Sequence, residues 1–105
     1  MNLNFSVFEG GWSYMAEEMG NAVSLLPDQD SLNVIEFGCG DSSIKLFDLL
    51  SNKWEVRYKA LESNSNYLIR HIGIHCFLYD ENNIENLKIG NEKYDFILID
   101  GPNGA

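Results

Sequence analysis

Apolar and polar positions alternate in blocks along this chain, and the block lengths predict its elements. Asn33 to Phe37, with Val34-Ile35-Glu36-Phe37 at its heart, and Tyr94-Asp95-Phe96-Ile97-Leu98-Ile99 are nearly continuous apolar runs. Runs of that kind suit strands covered on both faces of a parallel sheet. Between them lie Val56 to Leu61, where Arg57 and Lys59 alternate with Val56, Tyr58 and Ala60, and Ile74 to Leu78. Such alternation reads as a strand nearer the edge of the sheet. Met15, Met19, Ala22, Val23 and Leu26 recur at helical spacing. Ser13 is the cap of this helix, Glu17 and Glu18 suit its positive end, and Pro27 stops it. Gly20 costs it roughly 1 kcal/mol relative to alanine. Ile44, Leu46, Phe47, Leu49 and Leu50 predict a second helix ending near Ser51-Asn52. A short helix is expected from Ser63 to His71, with Tyr67, Leu68 and His71 facing in. The stretch from Glu81 to Gly90 carries Ile84, Leu87 and Ile89, enough for one short helix or a loop pinned to the sheet.

The punctuation fits this inventory. Asp28-Gln29-Asp30-Ser31 is a polar turn, and Asp100-Gly101-Pro102-Asn103-Gly104 has to turn. Residues 1–12 form an approach segment, and 13–105 form one domain. Four strands separated by helices, at spacings that suit βαβ crossovers, predict an α/β parallel sheet with helices on both faces. Each strand ends in one acid: Glu36, Glu62, Asp80 and Asp100. Ligands of such sheets lie beyond the carboxyl ends of the strands, so one shared cleft explains all four.

Composition narrows the function classes. The chain has 105 residues and a formal net charge of −9, from sixteen acidic and seven basic side chains. A surface that tracks nucleic-acid phosphates needs clustered Lys and Arg, which are only single here, so no nucleic-acid partner is expected. No apolar stretch approaches the roughly 20 residues of a membrane span, and Met1-Asn2-Leu3-Asn4-Phe5 lacks the features of a signal peptide. A cytoplasmic protein with reduced Cys39 and Cys76 is expected. His71 and His75 read as structural or surface residues, because Gly73 and a helix end intervene between them. Cys76 reads as a core residue of the third strand.

The candidate chemistry starts at Glu36-Phe37-Gly38-Cys39-Gly40-Asp41-Ser42-Ser43. This is strand, tight turn and helix start, which presents backbone N–H groups and a positive dipole end to a ligand. A dinucleotide fingerprint would need a third glycine where Ser43 stands, and an acid at Glu36 would repel a diphosphate. A Walker-type phosphate loop fails because no Gly-Lys-Ser/Thr follows the turn. The Glu36-to-Ser42 motif resembles the first motif of the Rossmann-like S-adenosylmethionine-dependent methyltransferases. Glu62 is similar to their acid at the end of the second strand, Asp80 to the residue that contacts the adenine amino group, and Tyr94 through Pro102 to their fourth motif.

That resemblance implies S-adenosylmethionine as cofactor and the strand order 3-2-1-4. It implies that Gly38, Cys39 and Gly40 approach the methionine portion, with Glu36 either fixing nearby backbone or receiving the amino group through water. Glu62, followed by Ser63, would accept the ribose hydroxyls, and Asp80 the adenine amino hydrogen. Leu61, Tyr79 and Trp12 would supply apolar walls. Asp100 would be the catalytic residue, placed either to remove a proton from a hydroxyl of a small molecule or sugar or to bind a metal such as Mg²⁺, although one ligand does not make a metal site. The family sheet continues beyond a fourth strand, so the chain is expected to hold the cofactor half. An apolar edge from Phe96 to Ile99 invites pairing with a second copy. The alternative is a non-catalytic S-adenosylmethionine- or nucleoside-binding module that self-associates through that strand.

Overall fold

A computed structural model describes residues 16–80, 82 and 93–99. In chain order the elements are α1 (Ala16–Ser24), β1 (Ser31–Phe37), α2 (Asp41–Leu50), β2 (Glu55–Glu62), a 3-10 turn (Ser65–Tyr67), β3 (Ile74–Leu78) and β4 (Phe96–Ile99). The four strands form one parallel sheet in the order β3-β2-β1-β4, as expected. Val34 lies level with Tyr58 and Phe96, and Ala60 lies level with both Glu36 and Cys76. The β4 entry is fixed by a reciprocal pair. The Asn33 N–H donates to Asp95 Oδ2 at 2.8 Å, and the Asp95 N–H donates to the Asn33 carbonyl at 2.8 Å.

The larger core lies on one face of the sheet. Leu32, Val34, Tyr58, Ala60, Ile74 and Leu98 pack there against Met19 and Val23 of α1 and Leu46, Leu49 and Leu50 of α2, with Trp54. A smaller cluster on the other face joins Ile35, Leu61 and Tyr79, with Phe37 and Tyr94 against it. Among the described residues both helices therefore cover the same face. The segment from Glu81 to Gly90, whose apolar residues were expected to form a helix or pinned loop, lies outside the described residues apart from Asn82. No helix among them is long and apolar enough to cross a membrane.

Several local expectations are corrected. α1 ends at Ser24, three residues before Pro27, and its last turn closes through Leu25 N–H to the Ala22 carbonyl and Leu26 N–H to the Val23 carbonyl. Ser13 and Met15 lie outside the described residues. Ser31 opens β1 instead of belonging to the turn, and β4 begins at Phe96 instead of Tyr94. No α-helix forms over 63–71. The Asn64 side chain accepts from the Asn66 N–H at 3.0 Å, a local bond that replaces a helical one, and only a single 3-10 turn follows. Tyr67 and Leu68 are consequently exposed. β2 lies between β1 and the edge strand β3, and the alternation of Arg57 and Lys59 marks its less covered face. Cys76 is half-buried against the core and not within it. His71 matches its structural reading: Nδ1 accepts from the Gly73 N–H at 3.1 Å, and the ring meets Phe47 edge-on.

Candidate functional site

The turn from β1 into α2 is built around a buried carboxylate. Glu36 is 1% exposed, and its Oε1 accepts from the Tyr58 hydroxyl at 2.8 Å and from the Ser43 hydroxyl. Ser43 Oγ in turn accepts from the Gly40 N–H at 3.1 Å, while the Ser43 N–H donates to the Gly40 carbonyl at 3.0 Å. Glu36 thereby joins β1, β2 and the first turn of α2. It reaches the Gly40 backbone through Ser43. The sequence reading missed Ser43 and Tyr58 as parts of the site. Ser43 falls three residues after Gly40, at the position that closes a helix cap, and that spacing was the available signal. Tyr58 carried none, because its link to Glu36 depends on strand register.

The two glycines serve different purposes. Gly38 has φ of 85°, a left-handed conformation that a residue with a Cβ adopts only under strain, and its N–H donates to the Leu61 carbonyl at 2.7 Å. Gly40 has φ of 176°, ordinary extended backbone open to any residue. Among the described residues, a Cβ added there would meet nothing within 4 Å. Neither the backbone conformation nor the packing of those residues requires a glycine at 40, which stands at the start of a ten-residue helix.

Glu62 ends β2 and is 7% exposed. Its Oε1 accepts from the Cys39 N–H at 3.0 Å and its Oε2 from the Asn64 N–H at 2.9 Å, so one carboxylate ties the first turn to the second. Each oxygen has a second lone pair that can accept another hydrogen bond. Ser63 follows, half-buried. The Tyr79 N–H donates to the Glu62 carbonyl at 3.0 Å, which sets the end of β3 beside the end of β2. Asp80 is exposed there, and its Oδ1 accepts from the Asn82 N–H at 2.9 Å. Leu61 and Tyr79, expected as cofactor walls, are buried in the smaller core cluster at this edge.

Glu36, Gly38, Cys39, Gly40, Glu62, Ser63 and Asp80 therefore all occupy the carboxyl edge of β1, β2 and β3. Asp100 and Trp12 lie outside the described residues. Burial, the neighbouring Cys76 thiol, and the Glu62 and Glu36 carboxylates all push the Cys39 thiol far above its ordinary pKa. It stays protonated at neutral pH and is not an activated nucleophile. Among the described residues no group of three or more His, Cys, Asp or Glu side chains is placed to hold a metal ion.

A cavity of about 570 Å³ lies elsewhere, along the amino-terminal halves of the strands, beside Arg57, Lys59, His75, Lys93 and Tyr94. It gathers three of the seven basic residues, which looked scattered along the sequence. Lys59 Nζ stands 6.0 Å from the centre of the Tyr94 ring. None of the expected site residues lines this cavity.

No family model and no curated protein matches the sequence. Among solved structures the chain is similar to part of a complex between the Haloferax volcanii Trm112 methyltransferase activator and a protein taken to be a methyltransferase. The TM-score is 0.53 at 11% identity, over 94% of this chain and 47% of that one. The chain thus spans about half the length of the chain it matches. At this identity the likeness concerns the fold alone, an α/β parallel sheet of Rossmann-like form.

Proposed function

We propose that this chain carries the S-adenosylmethionine-binding half of a methyltransferase that acts on a hydroxyl of a small molecule or sugar. The open space at Gly40 carries the reading. A glycine that neither its backbone conformation nor the packing of the described residues needs, at a helix start braced by a buried Glu36–Ser43–Tyr58 network, leaves room there for a ligand. An S-adenosyl group bound there would supply a sulfonium-activated methyl.

The residues fit such a group. Gly38, Cys39 and Gly40 let its methionine part come close to backbone, and the nearby Glu36 and Glu62 carboxylates favour its positive charge. Glu62 can accept ribose hydroxyls on the lone pairs that the Cys39 and Asn64 amides leave, and Asp80 can accept an adenine amino hydrogen. Methyl transfer is an in-line displacement that depends chiefly on alignment, which a turn held by Glu36 and Glu62 provides. Asp100 is assigned to proton removal by resemblance alone.

Calorimetric titration with S-adenosylhomocysteine tests the proposal. Saturable one-to-one binding that weakens in Glu62→Gln supports it, and no heat up to millimolar ligand overturns it. A second reading rests on β4, whose Ile97 and Ile99 are 57% and 62% exposed. There the chain is a binding module without turnover that pairs with a second copy through this strand. Sedimentation at high protein concentration separates the two, because a strict monomer contradicts the pairing.

A further inference from the structure

The two cysteines were expected to be reduced, one in the glycine turn and one in the core. The fold brings their sulfurs to 3.5 Å from each other across β2. The β2 residue level with Cys76 is Ala60, whose methyl group leaves room for that approach. Both residues are free thiols and half-buried. The segment after the 3-10 turn meets both sulfurs. Cys39 Sγ–H donates to the Tyr67 carbonyl at 3.5 Å, and Cys76 Sγ accepts from the Ile69 N–H at 3.4 Å.

We propose that Cys39 and Cys76 are a covalent modification site: a low-molecular-weight disulfide such as oxidised glutathione converts them to an intramolecular disulfide that misplaces the glycine turn. The balance is complete. One cysteine, as thiolate, attacks the glutathione disulfide, forming a mixed disulfide and releasing one glutathione thiolate, which takes up the proton. The second cysteine then displaces the second glutathione, so two protein thiols are oxidised and one glutathione disulfide is reduced to two thiols. A protein disulfide has an S–S bond near 2.05 Å, so the sulfurs must close by roughly 1.5 Å. Cys39 lies between Gly38 and Gly40, the most compliant residues of the turn, and it moves most. Its N–H, now on Glu62 Oε1, moves with it. Loss of the hydrogen bond from the Cys39 N–H to Glu62 loosens the cradle, at an expected cost of about tenfold in affinity, the order of one hydrogen bond to a charged group. The raised pKa of Cys39 leaves little thiolate at neutral pH, which makes the exchange slow, a response to sustained oxidation and not to brief pulses.

The effect on ligand rests on the methyltransferase reading; the disulfide itself does not. The full chain is incubated with oxidised glutathione and then freed of it. Peptide mapping by mass spectrometry locates any cross-link, a melting curve follows, and S-adenosylhomocysteine is titrated into the reduced and oxidised forms. The expected result is a monomeric protein with a Cys39–Cys76 cross-linked peptide, a melting temperature higher by at least about 10 °C from closing the loop, and about tenfold weaker ligand binding. Dithiothreitol should reverse all three. Cys76→Ser, its fold checked by circular dichroism, should form no internal cross-link and show no rise in melting temperature after oxidation. Free thiols, glutathione adducts or intermolecular dimers as the main products overturn the modification site. A cross-link with unchanged ligand affinity overturns the control of the turn. Absence of binding in the reduced protein refutes the cofactor reading, whereas the mapping result decides the disulfide independently.

Discussion

Replacing Gly40 with alanine separates a glycine kept for folding from one kept for a ligand. Among the described residues the added methyl meets no atom within 4 Å, and φ of 176° suits alanine. Two small effects on stability oppose each other. Alanine narrows the unfolded ensemble and stabilises by about 0.4–1 kcal/mol, while it is a poorer residue than glycine before a helix, by a similar amount. Gly40→Ala should therefore unfold within about 1 kcal/mol of the wild type. Gly38→Ala is the contrast, because φ of 85° forces alanine into the left-handed region at about 1–2 kcal/mol. In a domain of this size that lowers the melting temperature by several degrees. Binding should show the reverse emphasis. A methyl in space that a ligand fills costs about 1–3 kcal/mol of overpacking, so Gly40→Ala should weaken S-adenosylhomocysteine binding by about 5- to 150-fold. Urea denaturation and calorimetry on both variants give the two quantities. A Gly40→Ala protein that is stable and binds with wild-type affinity would refute the argument from open space.

The other predictions address the carboxylates and the thiol. Tyr58→Phe keeps the ring that meets Phe47 but removes a hydrogen bond to buried Glu36. It should cost about 2 kcal/mol by urea denaturation, and a loss below about 0.5 kcal/mol would contradict the network. Combining it with Ser43→Ala should give a non-additive loss, since both hydroxyls donate to the same oxygen. Glu62→Gln leaves the Cys39 or the Asn64 N–H facing an NH₂ group; stability should fall by about 1–2 kcal/mol and ligand affinity by at least about tenfold, while unchanged affinity would remove Glu62 from the site. Because its pKa is raised, Cys39 in the reduced native protein should react with iodoacetamide at pH 8 at least about tenfold more slowly than an unhindered thiol. The same sign makes stability fall as pH rises past about 9, where the unfolded thiol ionises and the folded one does not.

Local patterns were legible, and long-range pairings were not. The runs around Val34-Ile35 and Ile97-Leu98, the glycine turn and the acids at the strand ends could be read because their signals lie within a few residues. Strand order followed from the resemblance that those motifs carried. The helix expected over 63–71 failed because periodicity takes no account of an Asn64 side chain that captures the Asn66 N–H. The alternation of Arg57 and Lys59 reports which face of β2 is covered, a property independent of a strand's place in the sheet. Glu62 was recognisable as an acid at a strand end, but its grip on the Cys39 amide spans 23 residues and emerges only from folding. The sulfur contact between Cys39 and Cys76 likewise needs β2 between them to be narrow at Ala60.

The central claim is that the carboxyl edge of β1 and β2 seats an S-adenosyl nucleoside. Amide chemical shifts of the ¹⁵N-labelled chain during titration with S-adenosylhomocysteine test it most directly, because they report where the ligand binds as well as whether it does. The account predicts the largest changes at Gly38, Cys39, Gly40, Glu62 and Ser63. No change, or changes confined to Arg57, Lys59, His75 and Lys93 around the distant cavity, would contradict it.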